Sequence, residues 1–313
     1  MADRQTVSTV DKSRVDSPTE GRNPRTVEID QLSTMDVLRL VSAEDAAVAP
    51  AVAAALPELA RAVDLVVAAL RAGGRVHYVG AGTSGRIAAM DAEELGPTYG
   101  LEAGRVVAHV APYEPAGGAS GRPEDGEDDG SRGATVGAQI AAGDVAVGIA
   151  ASGRTPYVIA ALDGAAAAGA RTVLVSSNPR APLGRSVDVH VCVDTGPEVV
   201  TGSTRLKAGT AQKLVLNALS TTSMVQLGRT WSNLMIGAVV SNEKLRGRLV
   251  NALAGATGED PETCAQALSA ADGEGRTALL CLLAGAAPEP ARAALAASGG
   301  AVRPALAALT RAG

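Results

Sequence analysis

The chain has 313 residues, enough for one large domain plus a small one, and a formal charge of −5 from 28 Lys and Arg against 33 Asp and Glu. That acidity argues against a general phosphate-backbone binder, which carries a basic excess. Hydrophobic residues make up 46%, but there is no Phe, one Trp and four Tyr, so Ala, Val and Leu must fill the core and stacking platforms for nucleic acid are nearly excluded.

Residues 1–30 are polar, contain Pro18 and Pro24, and read as a flexible arm, although 19–30 (TEGRNPRTVEID) is less random than a tail. A short helix is predicted over 34–42. A long Ala-, Val- and Leu-rich helix follows over 46–72, broken at Pro57 and stopped at Gly73-Gly74. The pattern then becomes strand, turn, helix. Strands are predicted over 75–79, 105–111, 145–150, 172–176 and 187–193, with helices over 86–95, 157–168 and 206–227. Gly96-Pro97 reads as a breaker, and 112–133 as a long loop or a loop with a short helix. Continuous β-branched runs between helices predict parallel strands covered on both faces. The expectation is an α/β doubly wound domain over 31–250, with ligands at the carboxyl ends of its strands. After about 250 the sequence is mostly Ala, Leu, Glu and Arg, and Asp260-Pro261-Glu262 makes a good helix start. Breaks near Asp272-Gly273 and 285–288, and a stop at Gly299-Gly300, predict three short helices in a small all-helical C-terminal domain over 251–313.

Cys192, Cys264 and Cys281 are too scattered for a disulfide framework, and no CxxC pair suggests zinc. The first residues have no apolar signal region, and no apolar stretch reaches the ~20 residues of a spanning helix. A reducing, cytoplasmic setting without membrane contact is expected. His77, His109 and His190 each lie in an apolar strand without paired spacing, and are expected in the core rather than on a metal.

The first chemical signal is Gly80-Ala81-Gly82-Thr83-Ser84-Gly85-Arg86, at a strand end that opens a helix. Glycines allow a tight turn, and the free N–H groups of the helix start attract an anion. The segment satisfies GxGxxG, but the following strand ends in His109-Val110-Ala111, without the acid a dinucleotide ribose needs. The hydroxyls of Thr83 and Ser84, with Arg86, suit a compact phosphate monoester better. Residues 148–156 repeat the design, with Ser152, Arg154 and Thr155 in the turn. A third segment, 201–210, gathers Ser203, Arg205 and Lys207 at a helix start behind Glu198. Asp91, Glu93 and Glu94 follow the first turn on its helix, and Glu124, Asp125, Glu127, Asp128 and Asp129 form an acidic loop. Spacing alone selects none of these carboxylates.

GAGTSGR (80–86), DAEELGPTYG (91–100), GIAASGRTPYVIA (148–160) and GPEVVTGSTRLKAGTAQKLVLNALST (196–221), with TEGRNP, IDQLST and NEKL outside them, resemble the N-acetylmuramic acid 6-phosphate etherase family over nearly the whole chain. The resemblance implies a sugar isomerase domain, no metal or nucleotide cofactor, and a homodimer. It implies cleavage of the D-lactyl ether at C3 of the phosphosugar, giving N-acetylglucosamine 6-phosphate and D-lactate in peptidoglycan recycling, by elimination and then hydration. The family's DASE-type segment matches Asp91-Ala92-Glu93-Glu94, with Glu93 in place of a small residue, and points to Glu94 as the acid on the lactyl oxygen. Its EGAED-type loop matches Glu124-Asp125-Gly126-Glu127-Asp128 and points to Glu127 as the second acid/base. A phosphosugar isomerase and a phosphosugar-sensing regulatory protein are the competing readings. The sensor would keep the phosphate turns without needing both glutamates, and the isomerase would share the fold and the aldehyde chemistry without releasing lactate.

Overall fold

The computed structural model describes residues 16–111, 126–240 and 242–312. The chain opens with 3-10 turns at Pro18–Glu20 and Ile29–Gln31. This stretch is not the loose arm expected up to residue 30. Thr19, Asn23 and Thr26 are buried because their polar atoms find partners. Thr26 Oγ1 donates to Val199 O at 2.8 Å, and the Gly202 N–H to Thr19 O at 3.3 Å. Residues 1–15 lie outside the described residues.

Helix α1 (Thr34–Asp45) is capped by Ser33, whose Oγ accepts from the Asp36 N–H. The long Ala-rich run divides into α2 (Val48–Ala54) and α3 (Leu56–Arg71). Pro57, with no N–H to give, sits in the first turn of α3 and sets the break. Then follow β1 (Val76–Gly80), α4 (Gly82–Tyr99), β2 (Val106–Val110), α5 (Gly130–Gly137), β3 (Val145–Ile149), α6 (Pro156–Ala167), β4 (Arg171–Ser176), β5 (Val189–Cys192) and α7 (Lys207–Gln226). The strands form one parallel sheet, in order β2-β1-β3-β4-β5, with helices on both faces. This is the doubly wound architecture that the pattern predicts. β1 and β3 are buried throughout, so they read as unbroken apolar runs. Against them α6 lays Val158, Ala161, Leu162 and Ala165, in one core with Val79, Ala146 and Leu174. Without Phe to space it, this core is tight: a Cβ on Gly148 would stand 2.6 Å from both Leu162 Cδ1 and Val158 Cγ1.

Strand order reverses between β1 and β3, and Gly80 pairs in register with Ile149. In open α/β sheets the ligand crevice lies beyond the carboxyl ends at such a switch point. The expected breaker at Gly96-Pro97 does not end α4. Pro97 forgoes one backbone hydrogen bond inside the helix, and Gly100, at φ +60°, makes the stop with its N–H on Gly96 O at 2.9 Å.

The chain divides into two compact units, Met1–Ala92 with Val106–Leu219, and Glu93–Arg105 with Ser220–Gly313. The second holds α8 (Glu243–Thr257), α9 (Pro261–Ala270), α10 (Gly275–Ala284), α11 (Pro288–Ala297) and α12 (Val302–Ala312). Its division departs from the expected one at 250, because Ile236, Ala238 and Leu249 share a core with Leu268, Leu279 and Val302. Arg229 ties in residues 93–105, donating to Gly100 O at 2.7 Å and to Glu102. Helices α8 and α12 add to the three expected. Among the described residues, no single helix is long and apolar enough to cross a membrane.

Candidate active site

At the first turn β1 meets α4 without room for side chains. A Cβ on Gly80 would come 2.8 Å from Gly85 N, and one on Gly85 equally close to Gly80 O. Gly82 takes φ +52°, which opens the helix directly behind the strand. The first N–H groups of α4 therefore face the switch point with helical partial positive charge behind them. Thr83 and Ser84 are half-buried beside them, and the exposed Arg86 donates Nη2 to Thr83 Oγ1 at 3.2 Å.

Glu127 lies against this turn. Its Oε1 is 2.8 Å from the point a Cβ on Gly82 would occupy. Its carbonyl accepts the Tyr157 N–H at 3.0 Å, joining the acidic segment to the start of α6. Asp129 then caps α5, its Oδ1 accepting from Arg132 N at 3.0 Å. Glycines bring α5 onto α6: a Cβ on Gly137 would stand 2.8 Å from Ala161 O. Glu127 is thus held by packing on one side and by a backbone bond on the other. Glu124 and Asp125 lie outside the described residues.

The second turn closes on itself, with Ser152 Oγ accepting the Arg154 N–H at 3.3 Å. Thr155 occupies the N-cap position of α6, and its side chain makes no capping bond. Asn178, which the sequence did not single out, donates Nδ2 to Ser152 O at 3.0 Å and to Asp16 O at 2.9 Å.

The third segment brings the start of α7 beside that of α4. A Cβ on Gly209 would lie 3.7 Å from Thr83 Cγ2 and 3.8 Å from Ile87 Cδ1. Ser203 is half-buried and Arg205 exposed. Two residues expected as ligands here are instead engaged inside. Glu198 is fully buried and accepts the Lys207 and Ala208 N–H groups at 2.9 and 3.0 Å. Burial pushes its carboxyl up, against the pull of those N–H groups. Lys207 turns away, Nζ donating to buried Glu44 at 2.8 Å. Glu44 also accepts from Arg25 and from Asn23 Nδ2, and hydrogen bonding, that of Arg25 above all, holds its pKa down to about 2. Sequence reasoning missed Glu44, and its one pointer was the non-random look of 19–30.

Glu94 is exposed on α4, with Glu93 beside it. Asp91 on the same helix is buried and accepts from the Tyr78 hydroxyl at 3.1 Å. His77 and His109 stack, with His77 Nδ1 3.0 Å from His109 Nε2 and its Nε2 3.3 Å from Asp144 Oδ2. Among the described residues no group of three His, Cys, Asp or Glu side chains is placed to hold a metal ion.

A glucokinase regulatory protein N-terminal SIS domain model matches residues 58–166, and a SIS domain model matches 120–222. A Thermobifida fusca protein named N-acetylmuramic acid 6-phosphate etherase is 58% identical over 272 residues, which cover 86% of this chain and 88% of that protein. The chain belongs to the N-acetylmuramic acid 6-phosphate etherase family. Etherases of Symbiobacterium thermophilum and Aeromonas hydrophila are 49% and 46% identical, covering 85% and 90% of this chain and 89% and 95% of their own lengths. The family resemblance read from the motifs thus holds over most of the chain. Within the etherase fold the first turn, Glu127, the second turn and the start of α7 converge on the carboxyl ends of β1 and β3.

Proposed function

We propose that this etherase-family chain cleaves the D-lactyl ether of N-acetylmuramic acid 6-phosphate with Glu94 and Glu127 as its acid–base pair. The observation that carries the reading is the Glu127 carboxylate set against the anion-attracting start of α4. The phosphate sits on the N–H groups of α4, with Gly82, Thr83, Ser84 and Arg86 from the first turn, Ser152, Arg154 and Thr155 from the second, and Ser203 and Arg205 from the third. Glu198 and Lys207 support that third wall from within.

In the open-chain sugar the C1 aldehyde makes the C2 proton acidic. A base removes it, and lactate leaves C3. An alkoxide leaves poorly, so a positioned carboxylic acid must protonate the lactyl oxygen. Water then adds at C3 of the unsaturated aldehyde, giving N-acetylglucosamine 6-phosphate and D-lactate. One conjugate pair serves both halves by reversal. Glu94 is assigned the lactyl oxygen and Glu127 the second proton transfer.

A second copy of the chain and a cytoplasmic setting belong to the same reading. Met35 and Leu38 on α1, with Val27 and Leu32 before it, are exposed apolar side chains that a partner copy would cover. The test is lactate release by purified protein, without metal or nucleotide, in heavy-oxygen water. Lactate together with label at C3 of the sugar supports elimination and hydration. No lactate, with phosphosugar binding intact, moves the assignment to an isomerase or a sensor.

A further inference from the structure

The network around Glu44 lies outside the reacting groups, yet it reaches two walls of the site. Glu44 is 3% exposed, on the last turn of α1, and it gathers Lys207, Arg25 and Asn23. Lys207 is the first residue of α7, so its ammonium ties that helix start to α1. The segment from 16 to 26 runs over the same region. Asp16 O accepts from Asn178, whose amide also holds Ser152 O in the second turn. Asp16 further pairs with Arg180 at 2.8 Å. Thr19 O and Thr26 Oγ1 hold Gly202 and Val199 ahead of α7. One segment therefore straps the second turn and the third wall together, and Glu44 is its buried anchor.

We propose that Glu44 is a positioning residue for phosphosugar binding, which fixes the start of α7, and with it Ser203 and Arg205, beside Thr83. The proposal rests on the site assignment above. A buried ammonium with its carboxylate removed is strongly disfavoured, so losing Glu44 expels Lys207 and frees the helix start. Phosphate is bound alike in ground and transition states, so a misplaced phosphate wall raises KM and leaves kcat little changed.

The experiment compares wild type, Glu44→Gln, Glu44→Gln with Lys207→Met, and the milder Asn23→Ala. The readouts are lactate-release kinetics, calorimetric affinity for N-acetylglucosamine 6-phosphate, and urea midpoints. In Glu44→Gln, KM and the product's Kd rise about tenfold or more and the urea midpoint falls. Adding Lys207→Met removes the unpaired charge, so the midpoint recovers while KM stays raised. Asn23→Ala, which keeps the ion pairs but loses the buried bonds of its amide, gives a smaller KM rise and a smaller fall in the urea midpoint than Glu44→Gln. If KM returns together with the midpoint in the double variant, Glu44 is merely structural and the proposal falls. It falls equally if Glu44→Gln and Asn23→Ala both bind like wild type. A wild-type chain that binds no phosphosugar overturns the site assignment itself.

Discussion

At Gly82 two requirements meet: φ is +52°, and the space where a side chain would start is taken by Glu127 Oε1. Alanine there costs about 1–2 kcal/mol in backbone strain and pushes the carboxylate aside. Gly82→Ala should lower kcat for lactate release through Glu127 and also raise KM, because the same turn is assigned the phosphate. Glu94→Gln keeps shape and hydrogen bonding but removes the titrating proton, so lactate release should drop by about 10²–10⁴-fold while calorimetry shows product binding retained. Full activity in that variant would take Glu94 out of the mechanism. The turns at 80–86 and 148–156 were legible because glycines and hydroxyls punctuate the passage from strand to helix. Lys207 and Glu198 misled because sequence shows a charge but not which way a helix turns it. The partner of Lys207 lies 163 residues away in the chain.

Helix α5 shows the same limit one level up. Its sequence, GSRGATVG, has poor helix propensity, and the stretch up to 133 reads as a long loop or a loop with a short helix, which spacing alone does not place. Packing makes it a helix: Gly137 and Gly164 let α5 and α6 approach until backbone meets backbone. A Cβ on Gly137 would stand 2.8 Å from Ala161 O and 3.0 Å from Gly164 Cα, and neither can yield. Gly137→Ala should displace α5 together with the segment that carries Glu127, lowering both the urea midpoint and kcat. Gly247, exposed on α8 with nothing near its missing Cβ, is the control. Alanine there should raise stability by roughly 0.5–1 kcal/mol and leave kinetics unchanged. The central strands β1 and β3 were legible because fully buried parallel strands leave unbroken apolar runs. The C-terminal end of α4 was not, because a proline inside a helix has the same sequence signature as a stop.

Over the whole molecule, stability should depend on pH through the stacked histidines. Burial, with His77 beside it, lowers His109 to about 4, and burial lowers His77 as well, against the pull of Asp144 and with a push from Arg75. Both are held neutral in the fold, so the unfolded chain takes up protons first. Their contribution is complete above the ordinary histidine value of about 6.5 and is lost as pH falls from there through the folded values. Urea midpoints at about pH 7 and about pH 5 should differ, and His109→Phe should flatten the difference. The division of the chain is testable too. Ending it at residue 250, where composition shifts, strips Ile236, Ala238 and Leu249 of their core partners. Such a chain should aggregate on size-exclusion chromatography. Composition marked where the Ala- and Leu-rich run begins, whereas the core is set by contacts that a linear reading does not show.

The single tryptophan, Trp231, lies in the second unit with the Arg303 guanidinium 4.5 Å from its ring centre. The first unit, which holds the sheet and the glycine-rich turns, has none. Indole emission is therefore an optical label that nature has placed in one half only. Followed alongside lactate release during denaturation, it reports the melting of the helical half separately from the loss of the sheet's chemistry.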